Sequence, residues 1–171
     1  MQVLCIKMDS DGRCETKIKS RIRKAKMAFM NLKELMRGDI NKTLKKRLLK
    51  CYVWSVLMYG MEAWTLSAET ERQIEAFEMW CYRRMMRISY MQRKTNEEVL
   101  RLAGEKGEII KLYKKRKLRY FGHVIRVEGR LSEILMGKIE GKRARGRQRL
   151  GWMDEIKRWV SGRKSISGRT G

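Results

Sequence analysis

The stretch T-K-I-K-S-R-I-R-K-A-K-M-A-F-M-N-L-K-E-L-M, from Thr16 to Met36, decides the fold class of this sequence. Its apolar residues recur at spacings of three and four, which is the period of one face of a helix, and lysines and arginines fill many positions between them. The apolar positions are Ile18, Ile22, Ala25, Phe29, Leu32 and Met36. The pattern therefore predicts a long basic helix with a single buried stripe.

Small polar and glycine residues bound a second predicted helix. Gly38 is a plausible stop for the first helix, Asn41 suits an N-cap for a helix from Lys42 to Tyr59, and Gly60 ends it. Its inner face is predicted to carry Leu44, Leu48, Leu49, Tyr52, Val53, Val56 and Leu57.

Hydroxyl residues mark the starts of two further helices. Ser67 can cap a helix that runs to about Met86, and Thr95 with Glu98 has the spacing of a capping box that opens a short helix ending at Gly104. The inner side of the first of these is predicted to carry Ile74, Phe77, Cys81 and Met85.

The most basic helix is predicted from Glu108 to about Arg126, and the segments after it are shorter. The candidates for its inner face are Ile109, Leu112, Phe121 and Val124. Leu131, Ile134 and Leu135 suggest a short helix after it. Trp152, Ile156 and Trp159 are expected to form a last amphipathic turn or two. Only Val3 to Met8 could form a strand, and it is too short to pair with anything nearby. The predicted fold class is all-α, a helical bundle.

The charge balance points to a polyanionic partner. Among 171 residues, 42 Lys and Arg face 19 Asp and Glu, and the formal net charge is +23. A compact domain with that excess repels itself, so nucleic acid is the leading partner and an anionic membrane surface the second. A merely basic soluble protein is the alternative. No apolar run approaches transmembrane length, and no small-molecule substrate is indicated.

The chain offers little for metal or redox chemistry. Its cysteines (Cys5, Cys14, Cys51 and Cys81) are scattered, and His123 is the single histidine, so we expect no metal site and no cofactor. Without a recognisable signal peptide the cysteines are expected to be reduced and mostly buried, in a nuclear or cytoplasmic chain that is not secreted. The lone His123 suits capping or packing better than catalysis.

Two basic segments are the candidate nucleic-acid-binding residues. The first is K-L-Y-K-K-R-K-L-R, Lys111 to Arg119, followed by Tyr120, and the second is the glycine–arginine strap from Lys138 to Arg149. The predicted contacts are Lys111, Lys114, Lys115, Arg116, Lys117, Arg119, Tyr120, Lys142, Arg143, Arg145, Arg147 and Arg149. The guanidinium group of arginine can form bidentate hydrogen bonds to phosphate and can stack on bases, and the Tyr120 ring could also stack on a base. The alternatives are a solvated charge run, a basic linker and a nuclear-localisation signal in K-R-A-R-G-R-Q-R.

Six phrases in order resemble one family. They are S-D-G-R-C (10–14), Y-V-W-S-V-L-M-Y-G-M-E-A-W-T-L (52–66), E-M-W-C-Y-R-R-M-M-R-I-S (78–89), T-N-E-E-V-L (95–100), L-R-Y-F-G-H-V-I-R (118–126) and G-R-Q-R-L-G-W-M-D-E-I-K-R-W (146–159). Together they look like the region that follows the palm in LINE-type, non-LTR retrotransposon endonuclease–reverse transcriptases. The resemblance covers residues 9 to 160.

The resemblance implies a division of the chain and a role. Residues 1–14 would be the end of the palm, 15–90 a thumb-like helical bundle, 91–160 a basic helical unit with the strap, and 161–171 a disordered tail. The family is an RNA-directed DNA polymerase and endonuclease, and this region would hold the template and primer. RNA, DNA and a full-length polymerase encoded by the same element are the implied partners.

The departures from the family pattern concern chemistry. The catalytic Y-x-D-D phrase is missing, and the aspartates of this chain (Asp9, Asp11, Asp39 and Asp154) include no adjacent pair. Two-metal phosphoryl transfer needs clustered carboxylates, so we expect no catalytic residue and no enzymatic activity, including a nuclease built on Asp9 and Asp11. Gln148 also replaces the usual proline of the strap, and Ala63 the usual threonine.

The sequence therefore predicts a non-catalytic nucleic-acid-binding fragment of a reverse transcriptase. Two alternatives remain open at this point. One is a helical protein-interaction or domesticated structural protein, and the other is a translated retrotransposon pseudogene without function.

Overall fold

The structure is a computed structural model that describes residues 14–127, 133 and 151–164. These residues form helices and connecting loops with no strand among them, so the all-α prediction is confirmed. The elements are α1 (Glu15–Asn31), α2 (Lys33–Arg37), α3 (Lys42–Leu48), a π-helical stretch (Leu49–Trp54), α4 (Ser55–Leu57), α5 (Ala68–Met85), α6 (Asn96–Ala103), α7 (Ile109–Arg126) and α8 (Trp152–Lys164), with short 3₁₀ turns at Met61–Ala63 and Tyr90–Gln92. The candidate strand at Val3 to Met8 and the candidate helix around Ile134 lie outside the described residues.

The first predicted helix is interrupted once. At Leu32 the backbone leaves the helical region (φ −94°, ψ 7°), and its N–H donates to the carbonyl of Phe29 at 3.1 Å, so the last turn of α1 tightens before α2 begins. The buried stripe continues through the break, because Ile18, Phe29 and Met36 are all buried. Gly38 ends α2 as predicted.

The second predicted helix contains a π-helical stretch that the sequence pattern did not indicate. Asn41 caps it through a hydrogen bond from the Thr43 N–H at 3.0 Å. A π turn holds an extra residue, which rotates the side chains that follow around the helix axis. The prediction of an inner position is consequently wrong for Tyr52, which is 58% exposed, whereas Trp54 is buried. It is also wrong for Leu44, which lies before the π-helical stretch and is 45% exposed.

The next two helices begin and end where the sequence predicts. The Ser67 hydroxyl accepts a hydrogen bond from the Thr70 N–H and caps α5, and the capping box of Thr95 and Glu98 opens α6. Gly104 ends α6 in the left-handed region at φ 65°, a conformation that glycine adopts without steric cost.

One hydrophobic core joins the helices. It contains buried residues from Ile18 in α1 to Tyr113 in α7, and α5 packs against α1, α6 and α7. The predicted boundary between residues 90 and 91 therefore separates segments that share this core. Towards the other end of the chain α8 extends to Lys164, so residues 161–164, which were predicted to belong to the disordered tail, are helical. None of the described helices is long and apolar enough to cross a membrane.

Candidate nucleic-acid interface

The start of α7 is fixed by a carboxylate from α5. Glu78 is buried and accepts hydrogen bonds from the backbone N–H of Glu108 at 2.8 Å and of Ile109 at 3.5 Å. A negative charge at a helix N-terminus also interacts favourably with the helix dipole. Burial raises the pKa of the Glu78 carboxyl, against the lowering effect of these two hydrogen bonds. Beside it, Lys50 pairs with Glu108 at 2.7 Å.

A buried polar cluster fixes the middle of α7 to α8. The Lys117 ammonium donates to the carboxylate of Glu155, to the Trp64 carbonyl at 2.8 Å and to the Tyr113 hydroxyl at 3.1 Å. Glu155 also accepts from the Leu66 N–H at 3.0 Å and lies 2.8 Å from the Tyr113 hydroxyl. This network, the Lys117 cluster, joins α7, α8 and the connection that precedes α5.

The prediction that Lys117 contacts nucleic acid is wrong. Its side chain is 0% exposed and its charge is neutralised inside the protein. Desolvation lowers the pKa of Lys117, while the hydrogen bond and the charge of Glu155 act in the opposite direction. A signal for this was present in the sequence, because Lys117 lies four and eight residues after Tyr113 and Ile109, on the face of α7 that is buried.

Tryptophans of α8 pack over the cluster and over the aromatic residues of α7. The Lys117 ammonium lies 4.8 Å from the Trp152 ring, and the Trp152 indole N–H donates to the Glu62 carbonyl at 2.8 Å. Tyr120 and Phe121 contact the same Trp152 ring, with centroids 6.1 Å and 6.2 Å away. Tyr120 is therefore a packing residue that keeps 37% of its surface exposed.

The opposite face of α7 carries the exposed cations. Lys111, Lys115 and Arg119 follow one another at intervals of four residues, and Arg126 continues the same side seven residues later; all four are exposed. We call these four residues the α7 stripe, which extends for about 22 Å at 1.5 Å per helical residue. Within the described part of the chain none of them pairs with a carboxylate. Arg126 is not among the contacts predicted from the sequence.

Lys114 and Arg116 lie at the sides of the stripe and are partly neutralised. Lys114 is 3.8 Å from Glu71, and Arg116 is 3.9 Å from Glu62 and donates to the Met58 carbonyl at 3.4 Å. These two cations therefore hold α7 against its neighbours and are weaker candidates than the stripe. The predicted strap residues Lys142, Arg143, Arg145, Arg147 and Arg149 lie outside the described residues.

Other reactive side chains form no cluster on the described helices. No group of three or more His, Cys, Asp or Glu side chains in these segments is arranged to hold a metal ion. His123 is exposed on α7. Burial raises the pKa of the Cys81 thiol, as expected for a packed cysteine. The prediction of burial is wrong for Cys51, which is exposed because the π-helical stretch rotates it outward.

Comparison with known proteins supports a transposon origin. The chain is similar to the Caenorhabditis elegans protein named "Putative uncharacterized transposon-derived protein F52C9.6", with 27% identity over 152 residues. The alignment covers 85% of this chain and 54% of that protein, so the chain corresponds to about half of its relative. No family model matches the chain, and no solved structure matches it.

Proposed function

We propose that the chain is a non-catalytic nucleic-acid-binding region derived from a LINE-type reverse transcriptase. The transposon-derived relative supports the origin, and the six sequence phrases narrow it to this class of element. The observation that carries the binding function is the α7 stripe, a row of exposed cations on a helix whose other face is fixed by the Lys117 cluster.

The stripe suits a phosphate backbone because its charges are aligned and have no carboxylate partner in the part of the chain that the structure describes. Each strand of a nucleic acid carries a phosphate every few ångströms, so a row of cations about 22 Å long can meet several phosphates at once. Helix α7 cannot rotate about its axis without removing Lys117 from Glu155. Positions and spacing of the stripe are therefore preorganised, which lowers the conformational cost of binding.

In this proposal the chain binds nucleic acid, and another protein catalyses phosphoryl transfer. The chain has no adjacent aspartate pair, and phosphoryl transfer by two metal ions needs closely grouped carboxylates. Purified protein is accordingly expected to extend no primer. Extension above a heat-inactivated control would refute this part of the proposal.

The test measures the salt dependence of binding to labelled RNA and DNA oligonucleotides by fluorescence anisotropy. The variant carries Lys111→Gln, Lys115→Gln, Arg119→Gln and Arg126→Gln. Each phosphate contact that is lost should reduce the slope of log affinity against log salt by about 0.7 to 0.9. Because the four side chains are exposed, the melting temperature should change little.

A matched control removes charge elsewhere. Lys19, Arg23 and Lys24 on α1 and Arg47 on α3 are exposed, and their replacement by glutamine removes four positive charges, the same number as in the stripe variant. The control should retain more of the slope than the stripe variant. Equal losses in the two variants would show that only net charge matters, and an unchanged slope in the stripe variant would contradict the proposed interface.

A protein-binding role is the second candidate, and one surface favours it. Met27 and Met30 on the outer side of α1 are 62% and 44% exposed, and methionines adapt to many apolar partners. A full-length polymerase from the same element is the proposed partner. The test replaces Met27 by glutamine. A lower affinity for that polymerase, with unchanged binding to oligonucleotides, would favour this alternative.

A further inference from the structure

We propose that the chain has a second nucleic-acid site, specific for a single strand, at the C-terminal end of α5. It goes beyond the α7 stripe, with which it shares no residue. The site consists of two clefts on either side of Arg87 and an exposed tyrosine in the turn that follows, and we call it the Arg87 site.

The first cleft lies between α1, α2 and the end of α5. It has a volume of about 470 Å³, and its charged lining residues are all cations: Lys33, Arg37, Arg83, Arg84 and Arg87. Phe29, Met30 and Met36 form the apolar floor beneath them. A cleft lined by a single sign of charge concentrates counter-ions of the opposite sign, so its ligand is anionic.

The second cleft lies on the other side of the same arginine. It has a volume of about 480 Å³ and is lined by Lys42, Lys45, Arg87 and Lys94, again without a carboxylate. Arg87 and Ile88 line both clefts, so the two form a continuous path around the end of α5. A path with cations along its length fits a chain of phosphates better than a single anion.

The cations of the Arg87 site are available to bind an anionic ligand. In the described segments none of them lies within ion-pair distance of a carboxylate. Three of them are held in place by neutral partners. Arg83 donates to the Lys94 carbonyl at 3.1 Å and to the Asn96 amide oxygen at 2.7 Å. Lys42 donates to the Leu102 carbonyl at 3.1 Å, and the Arg84 guanidinium lies 4.6 Å from the centre of the Trp80 ring.

The backbone at Arg87 is unfavourable for an arginine. Helix α5 ends with the Ile88 N–H bonded to the Arg83 carbonyl at 2.9 Å and the Arg87 N–H bonded to the Arg84 carbonyl at 3.3 Å. This arrangement places Arg87 at φ 56°, where glycine is the preferred residue because it has no Cβ. The position therefore favours glycine for stability, and the arginine is explained by a contact that glycine cannot make.

The turn after Arg87 indicates a single strand. Ser89 lines the first cleft and Gln92 the second, and between them Tyr90 and Met91 are 93% and 85% exposed. An exposed aromatic ring beside a row of cations can stack on an unpaired base, as in proteins that bind single strands. Bases in a duplex are already stacked on one another, so a duplex would leave this ring unused.

The test compares Arg87→Gly and Tyr90→Ala on a labelled 12-nucleotide single strand, as RNA and as DNA, and on a 12-base-pair duplex. Arg87→Gly should bind the single strand about tenfold more weakly, the effect of losing one charge-assisted contact, and its melting temperature should stay the same or rise. Tyr90→Ala should weaken single-strand binding about tenfold and duplex binding little. The ratio of the RNA and DNA losses shows which strand the site prefers.

Two further variants separate this site from the α7 stripe. Lys33→Gln with Arg37→Gln tests the first cleft without altering the backbone at Arg87. The matched control is Lys19→Gln with Arg23→Gln, two exposed cations of α1. Wild-type affinity for the single strand in Arg87→Gly and in the Lys33 and Arg37 variant overturns the Arg87 site and leaves the stripe untouched. If only the stripe variant loses binding to the single strand, the Arg87 site is likewise overturned. If the variants of both sites lose affinity additively, both sites bind nucleic acid.

Discussion

Lys117 in α7 and Glu155 in α8 form an ion pair from which solvent is excluded, with side-chain exposures of 0% and 4%. A buried charge is costly unless it is paired, and here the pair is completed by a carbonyl and a hydroxyl. The pair thereby determines which side of α7 faces the protein and which side presents the α7 stripe.

Removing one partner of this pair should destabilise the fold strongly. Glu155→Leu leaves the Lys117 ammonium buried without a counter-charge, and we expect a loss of about 3–5 kcal/mol in the free energy of unfolding. Adding Lys117→Met to that variant should restore part of the loss, because no charge then stays buried, although the Leu66 N–H and the Trp64 carbonyl lose their charged partners. Urea unfolding of the two variants measures both effects, and a double variant as unstable as the single one would contradict this account.

Tyr82 and Tyr113 should respond in opposite directions to the loss of their hydroxyl groups. Both are buried, but within the described residues the Tyr82 hydroxyl has no hydrogen-bond partner, whereas that of Tyr113 belongs to the Lys117 cluster. Tyr82→Phe should therefore leave stability unchanged or raise it by about 1 kcal/mol, and Tyr113→Phe should lower it by about 1–3 kcal/mol. Thermal unfolding of the two variants side by side provides the comparison.

Glu78 should make stability depend on pH in the opposite sense to a typical surface carboxylate. Burial raises its pKa above the ordinary value of 4.5, so the folded protein binds a proton at Glu78 more readily than the unfolded chain does. Stability should fall as the pH rises from about 4.5 through the folded pKa, because the unfolded state then binds fewer protons.

The variant Glu78→Gln isolates this effect. It keeps an oxygen acceptor for the Glu108 N–H and cannot ionise. Urea unfolding at several pH values measures the free energy of unfolding of both proteins. The stability of the wild type relative to the variant should be highest at acidic pH and should decrease as the pH rises. The nearby Glu105 and Glu108 are present in both proteins, so their own titration largely cancels. A difference that stays constant with pH would contradict the raised pKa.

Removing the capping box of α6 should lower the free energy of unfolding slightly, and only when the hydroxyl of Thr95 is lost. Thr95→Ala removes the acceptor of the Glu98 N–H, whereas Thr95→Ser keeps it. We expect the alanine variant to lose about 1 kcal/mol and the serine variant much less. Equal losses in the two variants would show that the methyl group of Thr95, and not its hydroxyl, stabilises the start of the helix.

The parts of the fold that depend on local chemistry could be predicted from the sequence. Gly38, Asn41, Ser67 and the Thr95 capping box act on backbone groups a few residues away, and each bounds a helix where expected. The π-helical stretch could not be predicted in this way. Trp54, the last residue of this stretch, packs against Tyr82 in α5 with ring centroids 6.5 Å apart, a tertiary contact that no local period encodes.

The candidate site shows the same limit. Helical periodicity places Lys117 among buried residues, but the many cations around it suggested a surface position. Its partner Glu155 lies 38 residues further along the chain, so no local pattern indicates the ion pair. The Arg87 site combines cations of α2 and of the end of α5, which only the tertiary structure brings together. A local pattern of charges therefore overestimates the cations available on α7 and misses those gathered from distant segments.

The distance along the chain between Lys117 and Glu155 also affects how the protein is made. A ribosome synthesises α7 before α8, so during translation Lys117 emerges well before the carboxylate that neutralises it. Until Glu155 leaves the exit tunnel, α7 cannot bury its inner face without burying an unpaired charge. Earlier helices can pack first, and α7 becomes fixed only when α8 is complete. A nascent chain that stops short of α8 would expose the inner face of α7 and become a substrate for chaperones and proteases.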